Sequence, residues 1–200
     1  MNEVAADLGA WLTAGERVAI ATVVRVTGSA PRPAGATLIA CAGARIAGSV
    51  SNGCVEAAVY EEAMAVLEDG RSRVVNYGIS DEFAFTVGLS CGGAIDVLVE
   101  PVGAFHVAAL DAIRNDRPVV LIRAIDPADR AGTLAILRDE TADGWADELR
   151  PLAAPALAAS VAGAPRLVRS PLADGREATF FLEAIAAPRL LLIVGATHVG

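Results

Sequence analysis

The sequence predicts an α/β fold in which helices flank a mixed sheet, and its last apolar run predicts a strand that opens a further unit. Short β-branched segments bounded by glycine or proline recur along the chain, a pattern typical of strands. The segment after Gly53 instead repeats apolar residues at helical spacing. With 200 residues, 54% of them hydrophobic and 4% aromatic, the chain can bury one sizeable core.

A helix, a strand and a hairpin are expected first. The helix carries its apolar residues on one face and ends at Gly15. The strand spans residues 18–26, which are mainly β-branched and apolar. Because proline cannot continue a sheet, residues 28–33 form a stiff turn. A hairpin of residues 37–40 and 45–48 follows.

The clearest element is the helix after Gly53. Gly53 is placed at its N-cap, which puts Cys54 at the first helical position and Glu56 at the third. A carboxylate at that position complements the helix dipole, and Gly70 closes the helix. The expected buried stripe consists of Val55, Val59, Ala63 and Val66.

The rest of the chain continues the alternation of strands and helices. The predicted strands are 73–77, 94–99, 118–124, 133–137 and 177–183, and the predicted helices are 108–115 and 156–161. Residues 167–168 also have strand character, but the pattern assigns no topology to the region 128–170.

Three regions are expected from these patterns. Residues 1–103 form a first domain, and residues 104–187 form an α/β extension of it. Residues 188–200 are interpreted as the first strand and turn of an incomplete Rossmann unit, because an apolar run enters a turn bounded by Gly195 and Gly200. A first strand without its helix cannot bind a dinucleotide, so NAD(P) binding by this chain is not expected.

Charge and composition exclude several function classes. The net charge of −8 argues against a nucleic-acid surface. All sixteen basic residues are arginine, which excludes Schiff-base chemistry and lysine-dependent phosphate loops. There is no apolar stretch long enough to span a bilayer and no secretory signal, so a cytoplasmic protein is expected.

Two of the three cysteines are wrapped by glycines. Cys54 ends a loop of small residues that enters the predicted helix, and Cys91 precedes Gly92 and Gly93. Unpaired N–H groups at a helix start favour an anion and a thiolate, so the loop predicts an anion cradle with a reactive sulfur. Its cradle residues are Gly48, Ser49, Ser51, Asn52, Gly53 and Cys54. Cys41 lies among apolar neighbours and is expected in the core.

Each of these residues also has a purely structural interpretation. Cys54 can be a small buried side chain at a helix start, and Gly92 and Gly93 can form a plain turn. Glu56 is interpreted as a dipole-complementing residue rather than an acid or base. His106 and His198 lack metal-ligand spacing and are expected to be structural.

Several motifs in register resemble the XdhC/CoxI family, the accessory proteins of xanthine dehydrogenase and related molybdenum hydroxylases. The motifs are Gly28-Ser29-Ala30-Pro31-Arg32, Gly48-Ser49, Gly53-Cys54-Val55-Glu56, Cys91-Gly92-Gly93 and Val99-Glu100-Pro101. They cover roughly residues 1–103, and the resemblance implies that this region is a cofactor-handling domain. Asn52 departs from the glycine expected in this pattern, although asparagine tolerates a left-handed backbone.

The resemblance implies a chaperone that binds molybdenum cofactor, supports its sulfuration and inserts it into an apo-hydroxylase. Arg32 would hold the pterin phosphate through its guanidinium, and Cys54 and Cys91 would approach the metal. The implied partners are the hydroxylase and a cysteine desulfurase-type sulfur donor, and the family makes a homodimer plausible. Turnover of its own substrate is not expected.

Other function classes stay open at this point. A thiol enzyme would use Cys54 as the nucleophile of sulfur transfer or redox chemistry. A longer form of the chain would be a nucleotide-binding oxidoreductase built on the terminal turn. A pure docking module would recruit a sulfur donor without using Cys54.

Overall fold

The computed structural model describes residues 1–78, 92–138 and 147–185. Within these ranges the helices are α1 (Ala5–Thr13), α2 (Glu56–Asp69), α3 (Ala104–Arg114) and α4 (Ala153–Ala162). The strands are β1 (Ala19–Thr27), β2 (Thr37–Cys41), β3 (Arg45–Gly48), β4 (Arg73–Tyr77), β5 (Ala94–Pro101), β6 (Val119–Asp126), β7 (Gly132–Arg138), β8 (Arg166–Pro171) and β9 (Glu177–Ile185). Short 3₁₀ turns lie at Asn2–Val4, Ala128–Arg130 and Asp147–Leu152.

The described strands form two antiparallel sheets. The first has the order β3-β2-β1-β5-β4, and the second has the order β7-β6-β9-β8. A bulge between Val23 and Arg25 interrupts the pairing of β1 with β5. The predicted α/β class with flanking helices is therefore confirmed. The expected mixed sheet is wrong, because every pairing among the described strands is antiparallel and the strands divide into two sheets. The described region 128–170 contributes β7, α4 and β8 to the second sheet and its cover.

Alternation along the central strands creates a layered core. In β1, Ala19, Ala21 and Val23 face α2, whereas Ile20 packs with α3 and the second sheet. The other face of the second sheet packs against α4 through residues such as Phe180. Because a strand alternates faces at every residue, one strand can serve two core layers. The order of layers is α2, first sheet, second sheet and α4.

Most predicted elements lie where the sequence placed them, but α3 begins earlier than expected. The prediction started this helix at residue 108, and the structure starts it at Ala104 with Gly103 as N-cap. The backbone N–H of Gly103 donates to Nδ1 of His106 at 3.1 Å, which supplies a capping acceptor inside the first turn. His106 is 2% exposed, so its predicted structural role is confirmed.

A buried ionic network joins the two sheets. Arg123 on β6 is fully buried, and its Nε donates to Oε1 of Glu100 on β5 at 3.0 Å. Its Nη1 donates to Oε2 of Glu183 on β9. Glu100 also accepts from the backbone N–H of Thr133 at 2.7 Å and lies 3.1 Å from Nε2 of His106. Because Nδ1 of His106 accepts from Gly103, Nε2 carries the ring proton and donates to Glu100.

The charges of this network support one another. Burial opposes ionisation of Glu100, but His106, Arg123 and Thr133 outweigh it and lower the pKa of Glu100 to about 2. Burial likewise opposes the charge on Arg123, and the adjacent Glu183 and Glu100 outweigh it and raise its pKa. A buried charge that loses its partner is costly, so Glu100, Arg123 and Glu183 constrain how the two sheets pack.

The predicted division at residue 103 falls where the chain passes from the first sheet to α3 and the second sheet. A shared apolar cluster crosses that boundary and contains Ile20, Ile39, Ala109 and Leu121. The expected strand and turn with Gly195 and Gly200, and His198 with them, lie outside the described residues. Among the residues that are described, no helix is long and apolar enough to cross a membrane.

Candidate functional site

The predicted glycine-rich motifs meet at one end of the first sheet. The turn 28–33 follows β1, and the amide Nδ2 of Asn52 contacts the carbonyl oxygen of Pro31 at 3.5 Å. Gly93 packs against the same turn so closely that a Cβ there would collide with the Ser29 carbonyl. Because β1, β3 and β5 place their loops at a common sheet end, motifs far apart in sequence become neighbours.

The loop before α2 holds an anion that belongs to the chain itself. Oε1 of Glu56 accepts from the backbone N–H groups of Ser51 at 2.9 Å and Val50 at 3.2 Å. Its Oε2 accepts from the N–H groups of Gly53 at 2.8 Å and Val55 at 3.3 Å. The expectation that these N–H groups are unpaired and face a ligand is therefore wrong, because the carboxylate of Glu56 folds back onto them.

Two hydroxyl groups complete the shell around Glu56. The Oγ of Ser49 donates to Oε1 at 2.6 Å and accepts from the N–H of Asn52 at 2.8 Å. The Oγ of Ser51 donates to Oε2. Partial burial opposes the charge, but these hydroxyls and the loop N–H groups outweigh it and lower the pKa of Glu56 to about 2. Glu56 is thus an ionised anchor that holds the loop through both of its carboxylate oxygens.

This anchor also shifts the start of α2. The predicted N-cap at Gly53 is wrong, because the N-cap is Val55 and the helix begins at Glu56. Cys54 therefore lies in the loop, two residues before the helix, rather than at its first position. The expected left-handed backbone at Asn52 is confirmed by its φ of 57°. The predicted stripe is buried, and Gly70 ends the helix with a φ of 72°.

Cys54 is the accessible thiol of this loop. Its side chain is half-buried and packs against the α2 side of the core, whereas Cys41 is fully buried as predicted. Cys91 lies outside the described residues, so its distance to Cys54 stays open. Among residues 1–78, 92–138 and 147–185, no three His, Cys, Asp or Glu side chains are grouped as a metal site.

Gly48 fixes the entrance to the loop. Its φ is 77°, and a Cβ there would collide with the carbonyl oxygen of Thr37 and lie 2.5 Å from Cγ1 of Val4. Gly43 in the same hairpin has a φ of 75°, but a Cβ added to it would have no atom within 4 Å. Alanine at Gly43 would therefore introduce backbone strain alone, whereas alanine at Gly48 would add a steric collision to the same strain.

We expect Gly43→Ala to lower the free energy of unfolding by about 1 kcal/mol, the cost of a left-handed alanine. Gly48→Ala should lower it by about 2 kcal/mol more, because overpacking against backbone is added to the same strain. Urea titration of both variants at pH 7 measures the difference. Equal losses would show that the collision at Gly48 relaxes without cost.

Arg32 leaves the turn on the side of a cleft between the two sheets. The cleft has a volume of about 740 Å³, and we call it the inter-sheet cleft. Its lining includes Arg25, Arg32, Arg166, Leu167 and Phe181 together with the turn 28–33. Nη2 of Arg32 pairs with Glu3 at 2.5 Å, so its predicted contact with a phosphate stays a prediction.

Arg166 and Glu183 were missed from the sequence. Arg166 lies on the edge strand β8, next to Leu167, and follows Pro165 in the cleft wall. The only available signal was an arginine beside apolar residues in a region whose topology could not be assigned. For Glu183, a lone carboxylate inside the mainly apolar segment 178–185 could have indicated a buried ion pair.

Comparisons with known proteins identify relatives of this region. The model of the XdhC and CoxI family matches residues 11–78. The molybdenum cofactor insertion chaperone PaoD of Escherichia coli (strain K12) is 34% identical over 136 residues, which are 67% of this chain and 41% of that protein. A probable xanthine dehydrogenase subunit of Bacillus subtilis (strain 168) is 35% identical over 95 residues, which are 46% of this chain and 29% of that protein.

A solved structure shows the same fold. The crystal structure of a xanthine dehydrogenase from Bacillus halodurans matches with a TM-score of 0.57 and 25% identity, over 68% of this chain and 42% of that chain. In each of these comparisons the match spans less than half the length of the relative. The family match covers β1 to β4. It therefore includes the turn 28–33 and the loop of Cys54, but not Gly92 and Gly93.

Proposed function

This chain belongs to the XdhC and CoxI family through its N-terminal region, and from that premise we propose that it is an accessory chaperone for molybdenum cofactor. It binds the cofactor as cargo and delivers it to a hydroxylase of the xanthine dehydrogenase or CO dehydrogenase type. The relative named a molybdenum cofactor insertion chaperone supports this proposal, since it is 34% identical over 67% of this chain.

The convergence of the motif loops around the half-buried thiol of Cys54 carries the proposal. Asn52 contacts Pro31, and Gly93 packs on Ser29, so a ligand at this sheet end meets all three loops at once. A soft thiolate suits a soft molybdenum–sulfur centre, which supports Cys54 as the residue nearest the metal, with Cys91 as the second proposed thiol.

The Glu56 anchor changes how the loop is proposed to act. Because the carboxylate occupies the N–H groups of Val50, Ser51, Gly53 and Val55, the loop holds Cys54 in place rather than binding the phosphate through its backbone. The remaining proposed contacts are the exposed Asn52, Gly53 and Gly92. The Ser49 and Ser51 hydroxyls act indirectly, because both donate to Glu56 and so shape the loop. Affinity for the phosphate is then left to Arg32.

Sulfuration and handover complete the proposed role. A cysteine desulfurase-type donor would supply the sulfur that replaces an oxo ligand of the cargo, and the apo-hydroxylase would receive the product. The family also makes a homodimer plausible, which sedimentation would test. The cysteine-based enzyme stays the alternative, because Cys54 is accessible to a second substrate as well as to a cofactor.

We expect the purified chain to retain molybdenum cofactor through gel filtration in a near-stoichiometric amount. Cys54→Ala should lower the retained pterin and metal about tenfold, because a thiolate–metal contact is lost. Cys41→Ala is the matched control, since Cys41 is fully buried in the core and should leave retention unchanged.

Two results would count against the proposal. Absence of retention by the folded wild-type chain would contradict cofactor carriage by this chain. Retention that is equal in the wild type and in Cys54→Ala would contradict the role of the thiol. A persulfide found on Cys54 after incubation with a sulfur donor alone would instead support the sulfur-transfer enzyme.

A further inference from the structure

We infer that the inter-sheet cleft binds the phosphorylated, ring-bearing end of an anionic ligand through Arg166 and Arg32. The lining of the cleft indicates the chemical class of the ligand. The identification of this ligand as the pterin phosphate end of the cofactor rests on the proposed function. Arg166 belongs to none of the motifs that carry the family resemblance, and the cleft lies outside the loop of Cys54.

The arginines of the cleft differ in how far they are neutralised. Arg25 is held by Asp96 at 2.7 Å and by Asp126 at 3.1 Å, so its charge is already balanced by two carboxylates. Arg166 is exposed and forms no ion pair among the residues that the structure describes. The cleft therefore presents an unbalanced positive charge in a chain whose net charge is −8.

Arg32 adds a donor that its own partner does not use. Its Nη2 pairs with Glu3, while its Nε is buried and has no hydrogen-bond partner within the described part of the chain. The buried Nε is itself closed to a ligand, so an incoming oxyanion would reach the open part of the Arg32 guanidinium, whose side chain is 28% exposed. Since a guanidinium presents several donors in one plane, it can keep Glu3 and still bind a phosphate oxygen.

Apart from the three arginines and Ser29, the lining residues are apolar. Val24 and Phe181 are essentially buried beneath the cleft, and Leu167 on the edge strand is 47% exposed beside Arg166. An exposed leucine next to a cation provides a surface for a flat ring whose phosphate reaches the guanidinium. The volume of about 740 Å³ lies within the range of small-molecule sites. A bare inorganic anion would leave this apolar lining unused.

Guanosine 5′-monophosphate is a suitable probe, because it joins a flat ring to a phosphate. We expect titration calorimetry at low salt to show that it binds more tightly than guanosine or inorganic phosphate alone. Arg166→Gln should weaken this binding about tenfold, the loss expected for one hydrogen bond to a charged group. Arg32→Gln should weaken it to a similar extent.

Arg117→Gln is the control, since Arg117 is a half-exposed arginine that pairs with Asp111 and does not line the cleft. It should leave probe binding unchanged. Because Arg166 is exposed, its variant should unfold at the wild-type urea concentration, so a lost signal is not a folding defect. Cys54→Ala should also bind the probe normally, since Cys54 is not part of the cleft lining.

The outcomes separate this inference from the proposed function. Wild-type affinity for the probe in Arg166→Gln, or no probe binding by the wild type, would overturn the cleft inference even if the chain retains molybdenum cofactor. Probe binding that depends on Arg166, in a chain that does not retain the cofactor, would leave the cleft in place and overturn the proposed function alone. Reduced cofactor retention in Arg166→Gln, together with weakened probe binding, would support both.

Discussion

Replacement of Arg123 by methionine is expected to lower the free energy of unfolding by about 3–5 kcal/mol, the cost of removing one partner from a buried ion pair. The substitution leaves Glu100 and Glu183 buried without the guanidinium between them. Glu183 then keeps the N-terminal ammonium of Met1 at 3.1 Å, and Glu100 keeps His106 and Thr133. Both carboxylates lose the guanidinium that they share, which favours their protonation or the entry of water between the sheets. Urea titration followed by circular dichroism at pH 7 measures the loss.

The control for this variant is Arg176→Gln. Arg176 pairs with Asp129 and Asp174, but this pair is exposed, so the urea midpoint should change little. A variant that combines Arg123→Met with Glu100→Gln should recover part of the loss, because Glu183 keeps the N-terminal ammonium of Met1 at 3.1 Å and Glu100 no longer carries a buried charge. A loss below about 1 kcal/mol in Arg123→Met would show that the carboxylates are stabilised without Arg123.

Replacement of Glu56 by glutamine is expected to lower the free energy of unfolding by about 2–3 kcal/mol. An amide offers one acceptor oxygen in place of two, so several N–H groups between Val50 and Val55 lose their partner. Because the same contacts hold the loop of Cys54, alkylation of Cys54 by iodoacetamide should become faster. Glu61→Gln on the exposed side of α2 is the matched control.

The pH dependence of the same pair of proteins provides a second measurement. The pKa of Glu56 is about 2 in the folded protein and 4.5 in the reference state, so its ionised form stabilises the fold above pH 4.5. This stabilisation is lost as the pH falls through 4.5 towards 2. We expect the wild type to lose more stability than Glu56→Gln over that interval, while Glu100 keeps both proteins acid-sensitive. Parallel curves would show that Glu56 does not anchor the loop.

Local pattern was sufficient to predict most elements. The apolar stripe and Gly70 defined α2, and the β-branched run before the turn 28–33 defined β1, because both signals lie within one element. The division of the strands into two sheets could not be predicted. Which strands pair depends on contacts such as Ala19 with Pro101, whose separation in sequence leaves no local trace.

The site was predictable in position but not in its hydrogen bonds. Glycines and Cys54 indicated a tight loop before a helix, and the loops do meet. The sequence alone did not show that Glu56 would turn back to accept the loop N–H groups, since a glutamate in a first helical turn has several ways to lower its energy. Arg166 could not be recognised from the sequence for another reason. It lines the same cleft as Arg32 only when β8 pairs with β9.

The N–H groups of the Cys54 loop bind the carboxylate of Glu56, which belongs to the same polypeptide. No bound anion from solution therefore has to leave the loop when a ligand arrives. Inorganic phosphate, sulfate or nucleotides in the surrounding solution would have to compete with a tethered group that has an effective concentration far above theirs. We therefore expect the shape of the Cys54 loop to change little with the anions present or with ionic strength. The arginines of the cleft are screened by salt in the ordinary way. The geometry of the Cys54 loop should thus stay the same as the salt concentration changes, whereas anion binding by the cleft arginines should weaken as salt is added.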